Sequence, residues 1–265
     1  MKVAILRIEG TNCEEELYLS FKRLGLEADI IHLNQISRKE ISIFDYGCIM
    51  IPGGFSSGDY VRAGAIFATR LKATLKNELL DFVREGRLLG GICNGFQVLV
   101  EMGLLPGFTT DKHYPVAQAA LTTNDSGRFE CRPTFLKHET TICRFTKKLE
   151  KGKIISLPVA HMEGKFVLPT EKEKNYLFKL IENEQIVFRY VDRNGNYESY
   201  PWNPNGSLYN IAGICNKEGN IFGMMPHPER VFYKLQHPDW TRSGLQENIG
   251  DGRIIFESIA EELRK

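Results

Sequence analysis

The sequence lacks any long apolar run, and no stretch approaches the roughly 20 residues a membrane-spanning helix needs. Its opening, "MKVAILRIEGTNCEEE", turns acidic after one short apolar run, so a first strand is expected there and not a signal peptide. An excess of one charge is missing too: 34 Lys and Arg stand against 33 Asp and Glu, a formal net charge of +1. That balance argues against broad attraction to nucleic acid or an anionic membrane. There is no CxxC pair, and the 6 cysteines (Cys13, Cys48, Cys93, Cys131, Cys143, Cys215) show no metal-ligand spacing. Reduced thiols in the cytoplasm are the expectation, with no metal site. A phosphate-cradling GxxxxGK loop, an internal repeat and a linker-like tract are also absent. The 265 residues are therefore expected to form one domain, 1–265, with a sizeable core and a C-terminal tail, about 233–265, of unassigned role.

What is present alternates. "KVAILR" (2–7), "EADIIHL" (27–33), "YGCIMI" (46–51) and "RLLGGI" (87–92) read as strands. Between them, 14–25 reads as a helix ending on Gly25, and 61–85 as a long helix with a break near Lys76. Such alternation predicts βαβ units and a parallel sheet, with ligands bound beyond the carboxyl ends of the strands. After about residue 115 the texture changes. Segments 116–124, 128–136, 140–145 and 153–161 read as shorter, mostly antiparallel strands, followed by a polar stretch at 170–185. Strands are expected again at 185–191, 208–215 and 221–225, and a final helix at 251–265. The fold class is α/β: a mostly parallel central sheet flanked by helices, with an additional antiparallel β portion.

"Gly91-Ile92-Cys93-Asn94-Gly95" has the form of a nucleophile elbow with cysteine in place of serine. Glycines suit a strained strand-to-helix turn, and the partial positive charge of the helix N-terminus favours a thiolate. The Asn94 N–H is one oxyanion donor. The loop of Gly53, Gly54 and Phe55 supplies the other, from Gly54 or Phe55. The competing account of Cys93 is a small apolar residue on a packed turn, and the motif alone does not separate the two. A base is needed, and "FGMMPHPERVF" (222–232) offers His227 and Glu229 after a strand. Two residues apart, Glu229 can hold one imidazole nitrogen while the other faces Cys93.

Cys93 in its glycine elbow, Gln97 four residues on and the late "PHPE" resemble a class I glutamine amidotransferase. Within that group, "PGGFSSGDYVRAGAIFA" (52–68), "CNGFQVL" (93–99), "NDSGRFECR" (124–132), "PVAHMEGKF" (158–166) and "MMPHPER" (224–230) resemble the glutaminase subunits of phosphoribosylformylglycinamidine synthase. The resemblance implies a triad of Cys93 nucleophile, His227 base and Glu229 orienter. It also implies that Gln97 helps hold the substrate, and that Asn124, Ser126 and Phe129 meet the α-amino and α-carboxylate end of glutamine. The implied reaction attacks the glutamine side-chain amide, releases ammonia and hydrolyses a glutamyl thioester. The ammonia passes to a separate synthetase large subunit (PurL type), with a small bridging subunit (PurS type). ATP and magnesium are expected on that partner, and no cofactor on this chain.

Two stretches depart from the family pattern: Glu9-Gly10-Thr11-Asn12 where Pro-Gly-Thr-Asn is frequent, and His161-Met162-Glu163-Gly164 where His-Gly-Glu-Gly is common. His161 and Glu163 share a parity, but one triad already accounts for the chemistry, so a structural or interface role is expected of them. Asp59 and Arg62 lie one helical turn apart and are expected to pair on the surface. His32, His113, His138 and His237 read as exposed singles, and the cysteines other than Cys93 as packing residues. The alternatives are a glutaminase for another synthetase, which the GDYVRAGA segment argues against, a stand-alone cysteine hydrolase with no preference for glutamine, and a non-catalytic scaffold subunit. Labelling of Cys93 by a glutamine-mimicking electrophile separates the scaffold from the rest.

Overall fold

The structure, a computed structural model, describes residues 1–108, 115–241 and 248–265. Its strands are β1 (Lys2–Arg7), β2 (Ala28–His32), β3 (Tyr46–Ile51), β4 (Leu88–Ile92), β5 (Ala120–Thr122), β6 (Glu130–His138), β7 (Ile154–His161), β8 (Lys165–Val167), β9 (Ile186–Val191), β10 (Ile211–Cys215) and β11 (Ile221–Met224). The helices are α1 (Glu14–Lys22), α2 (Leu33–Ser37), α3 (Ala65–Arg84), α4 (Asn94–Glu101), α5 (Glu173–Glu182) and α6 (Arg253–Arg264). None of the described helices is long and apolar enough to cross a membrane.

Nine strands form one sheet in the order β2-β1-β3-β4-β11-β10-β9-β6-β7, and β5 pairs with β8 in a separate small sheet. From β2 to β11 every pairing is parallel; from β11 to β7 every pairing is antiparallel. The parallel strands β3 and β4 are buried along their whole length, which is why they read as unbroken apolar runs without alternation. The chain steps one way from β1 through α1 to β2 and the other way from β3 through α3 to β4. Right-handed crossovers then place α1 and α3 on opposite faces. The first helix packs against α6, with the Phe21 and Phe256 rings edge to face at 5.3 Å, and α3 packs against α4.

The predicted break in α3 falls at Leu75, whose φ of −131° leaves the helical range. Three expectations are corrected. Residues 140–145 do not form a strand: Arg144–Thr146 is a single 3-10 turn, fixed where Arg144 reaches Glu262 on α6. The polar stretch at 170–185 contains α5, whose only buried side chain is Leu180, so too little apolar periodicity marks it. The tail gains a role: α6 buries Ile255, Phe256, Ile259 and Leu263, and just before it Asp251 accepts the Ser156 N–H of β7 at 2.7 Å.

Candidate active site

Three adjacent parallel strands, β3, β4 and β11, end at the same level. Ile51 lies beside Gly91, and Met224 beside Ile92. The next residues of each strand are the Pro52-Gly53-Gly54 turn, Cys93 and Met225-Pro226-His227. Sheet register alone therefore brings together three segments far apart in sequence. The Cys93 N–H donates to the Met224 carbonyl at 2.8 Å, tying the elbow to the strand that leads to the histidine.

Cys93 has φ 51° and ψ −107°, a backbone state that costs a non-glycine residue about 1–3 kcal/mol. The flanking glycines are required by space. A Cβ on Gly91 would collide with the Gly95 carbonyl, and one on Gly95 with the Ile51 carbonyl, so α4 lies directly on β3 and β4. The opening glycines of the elbow thus permit contact, and the strain itself sits on the thiol-bearing residue.

His227 Nδ1 lies 2.5 Å from Glu229 Oε1, and both side chains are buried. The Pro158 carbonyl of β7 accepts the His227 N–H at 2.8 Å, which fixes the histidine backbone. Burial pushes the imidazole pKa down, but Glu229 first and then Cys93 outweigh it, and the net effect lies well above the ordinary histidine value. His227 Nε2 is left without a hydrogen-bond partner among the described residues and is buried. Gly53 explains how the nitrogen stays clear. A Cβ there would sit 2.8 Å from His227 Cε1 and 3.3 Å from both Cys93 Cβ and Cys13 Sγ, so any side chain would wedge between nucleophile and base.

Of the two candidates for the second oxyanion donor, Phe55 is excluded, because its N–H donates to the Gly10 carbonyl at 2.9 Å. The Gly54 N–H has no such partner among the described residues. As the first residue of α4, Asn94 has no carbonyl in its own helix for its N–H. Phe55 stands at the mouth, half exposed, with its ring 6.4 Å from that of Phe129.

The expected substrate-holding amides are occupied by the protein. Gln97 donates from Nε2 to the Glu163 carbonyl at 2.6 Å and accepts from Asn94 Nδ2 at 3.0 Å. Asn124 donates to the Arg128 and His161 carbonyls at 2.8 and 2.9 Å and accepts from the Gly164 N–H at 3.0 Å. Both are buried braces that hold the 161–164 turn against the elbow, and both donor hydrogens of Asn124 are engaged. Ser126 instead lines a cavity of about 470 Å³ with Asp125, Arg128 and Tyr200.

Other expectations change as well. Arg62 pairs with Glu101 through two bonds of 2.6 and 2.5 Å, and Asp59 instead accepts from Asn94 Nδ2 at 3.3 Å. His138 is buried, with Nδ1 3.1 Å from the Glu150 carbonyl and Nε2 2.9 Å from Thr146 Oγ1. His32 and His237 are half-buried, and His113 lies outside the described residues. Cys131 is exposed, and Cys13 is part of the site: Arg230 Nη2 donates to its sulfur at 3.2 Å. Nothing in the spacing flagged Cys13, because it reaches His227 through the turn after β1. Cys13, His227 and Glu229 bring three possible ligand atoms within 4.8 Å. The Arg230 guanidinium already faces that sulfur and Glu229 is bound to the imidazole, so these residues do not fit a cation.

A thiol on a strained elbow beside a carboxylate-held histidine, on an α/β sheet, is the geometry that cysteine-nucleophile chemistry requires. Residues 1–261 match the family model for the CobB/CobQ-like glutamine amidotransferase domain. The chain is 53% identical over 274 residues to the phosphoribosylformylglycinamidine synthase subunit PurQ of Archaeoglobus fulgidus, covering 100% of this chain and 98% of that one. It is 49% identical to the PurQ subunit of Picrophilus torridus, covering 97% of each. Among solved structures it is similar to a chain of PurLQS from Thermotoga maritima, with a TM-score of 0.74, 33% identity and coverage of 99% and 98%. The chain therefore belongs to the CobB/CobQ-like glutamine amidotransferases and, among them, to the family of PurQ subunits.

Proposed function

We propose that this chain is the glutaminase subunit of a phosphoribosylformylglycinamidine synthase in purine biosynthesis, working as one unit over residues 1–265 in the cytoplasm. The observation that carries the proposal is the meeting of Cys93, His227 and Glu229 at the ends of β4 and β11. Cys93 Sγ attacks the side-chain carbonyl carbon of glutamine and forms a C–S bond. The carbonyl electron pair moves to oxygen, which the Asn94 and Gly54 N–H groups receive. The C–N bond then breaks; nitrogen keeps the pair, takes a proton from His227 and leaves as ammonia. Water gives a proton to His227 and attacks the thioester, the C–S bond breaks, and glutamate departs with the thiolate restored. Glu229 holds the imidazole in place through both proton transfers.

Substrate recognition falls to Gly53, Gly54, Ser126 and Phe129 around the opening, with Gln97 and Asn124 as braces behind it. The Arg128 charge beside Ser126 suits the α-carboxylate of glutamine, while Asp125 is held by Lys165. Ammonia passes to a PurL-type synthetase, which uses ATP and magnesium to convert formylglycinamide ribonucleotide to the amidine; a PurS-type subunit bridges the two. The loop after β3 supports docking. Ser57, Gly58 and Asp59 all have positive φ and turn Tyr60 and Val61 outward, 89% and 70% exposed. Apolar side chains held out by a braced loop suit a protein interface.

The test is glutamate release by wild type and Cys93→Ala, each alone and with synthetase, ribonucleotide and ATP. The expected outcome is slow turnover for wild type alone, fast turnover in the mixture, and a loss of at least about 10⁴-fold for the variant in both settings. Wild-type turnover by Cys93→Ala in the mixture overturns the assignment.

A further inference from the structure

We propose that His161 is a further catalytic residue of the glutaminase: its imidazole receives a hydrogen bond from the amide nitrogen of glutamine as that nitrogen becomes ammonia. The proposal rests on the Cys93 mechanism above and adds a group to it.

The observation is an unpaired histidine. His161 ends β7 with a relative exposure of 3%, and neither ring nitrogen has a hydrogen-bond partner among the described residues. His138 is the internal control. It ends the neighbouring strand β6, is equally buried, and has both nitrogens engaged by the protein. Buried polar atoms are nearly always paired, so a ring left with two open positions points to a missing partner. Because β7 borders the site, we assign that partner to a molecule that enters the active site. Its Pro158 carbonyl holds the His227 backbone, and its Ala160 carbonyl lies 3.6 Å from Cys93 Sγ.

The ring is also held in place. Gly164 closes over it so tightly that a Cβ at that position would collide with three imidazole atoms. Asn124 bonds both the His161 carbonyl and the Gly164 N–H, and locks the turn that makes this contact. A ring clamped on one side, with both nitrogens unpaired, is built to meet something that arrives.

Charge identifies what arrives. Burial pushes the His161 pKa down to about 3, and the charge of nearby His227 pushes the same way. His161 is thus a neutral acceptor beside an imidazolium donor. An acid at this place would protonate the product, and ammonium has no lone pair with which to attack. His227 supplies the single proton that expulsion of ammonia requires. The lone pair of His161 accepts an N–H of the same nitrogen and transfers no proton. The two histidines therefore release free ammonia in place of ammonium.

The experiment uses the full chain assembled with its synthetase and compares wild type, His161→Phe and His161→Gln. Three quantities are read: kcat for glutamate release, KM for glutamine, and the rate at which a glutamine-mimicking chloroketone alkylates Cys93. The chloroketone expels chloride and has no amide nitrogen, so it reports the elbow without the proposed contact. The expected result for Phe is a kcat lower by roughly 10- to 100-fold, with KM within about twofold and alkylation at the wild-type rate. Gln keeps an acceptor and restores kcat to within about fivefold of wild type. Wild-type kcat for Phe overturns the proposal. So does an equal loss of turnover and alkylation, which makes His161 a packing residue of the elbow. If the Phe chain does not fold, His161→Leu takes its place and the contrast with Gln decides. Failure of the chloroketone to label Cys93 in wild type counts against the glutaminase assignment itself and is thereby told apart.

Discussion

The two halves of the large sheet serve the site in different ways. The parallel half delivers reactive atoms: the ends of β3, β4 and β11 place Gly53, Cys93 and His227 by backbone register alone. The antiparallel half delivers a wall, since β7 meets the thiol with the Ala160 carbonyl and Asn124 holds the turn that follows at the His161 carbonyl. One half depends on strand ends and glycine-sized gaps, the other on side-chain hydrogen bonds. Changes at the strand ends should therefore act through kcat, and loss of the hydrogen-bonded braces through KM and stability. His161, proposed to meet the leaving nitrogen, is the one member of the antiparallel half that acts through kcat.

The strongest test of the parallel half is Gly53→Ala. Its new Cβ would lie 2.8 Å from His227 Cε1 and 3.3 Å from Cys93 Cβ, and the base must shift. A displacement of this kind costs roughly 10²-fold or more in kcat. KM for glutamine is expected to change less than kcat, because the new methyl group meets His227 and Cys93 first. Steady-state kinetics in the assembled complex check this. A Gly53→Ala enzyme with wild-type kcat breaks the claim that this glycine keeps base and nucleophile apart.

For the antiparallel half the test is Asn124→Ala. The substitution removes two donated bonds and one accepted bond, and leaves the His161 and Arg128 carbonyls and the Gly164 N–H without their partner. Unpaired buried groups cost about 1–3 kcal/mol each before relaxation, so a loss of roughly 2–4 kcal/mol in unfolding free energy is expected. KM for glutamine rises several-fold while Cys93 still reacts with a small alkylating agent. Should Asn124→Ala leave stability unchanged and abolish turnover only, Asn124 touches substrate and the distinction between the halves is lost.

The same division explains what could be read in the chain before its structure. Strand ends followed by glycine, cysteine or histidine are local signals, so the meeting of Cys93, His227 and Glu229 at one end of the sheet is legible in short motifs. The parallel strands were equally plain, because strands buried on both faces are uninterrupted apolar runs. Gln97 and Asn124 stand out in the motifs, but that they brace the carbonyls of Glu163 and His161 is not legible in sequence, because those partners lie far along the chain. Cys13 reads as a packing residue for a related reason: Arg230, which donates to its sulfur, comes from the far end of the chain. The helix α5 went unrecognised because only Leu180 of its residues is buried.

The smallest expected effect lies outside both halves, at Glu262 on α6. This carboxylate accepts from Lys147, Lys265 and Arg144, and ties the final helix to the 3-10 turn at 144–146. Burial raises its pKa, but the three cations prevail and hold it down at about 2. Its side chain is 5% exposed while its cationic partners are 28% to 58% exposed, so the group is covered mainly by solvent-facing charges and screening reduces its contribution. Because the folded pKa lies below the unfolded one, the stabilisation is fully present above the unfolded value near 4.3 and fades as pH falls toward 2. Glu262→Gln is therefore expected to cost about 1 kcal/mol at pH 7 and nearly nothing at pH 2, with kcat and KM unchanged. Urea unfolding at both pH values checks it. A loss of the same size at pH 2 makes shape, and not charge, the contribution of Glu262, while a change in kcat extends the reach of the site to the last helix.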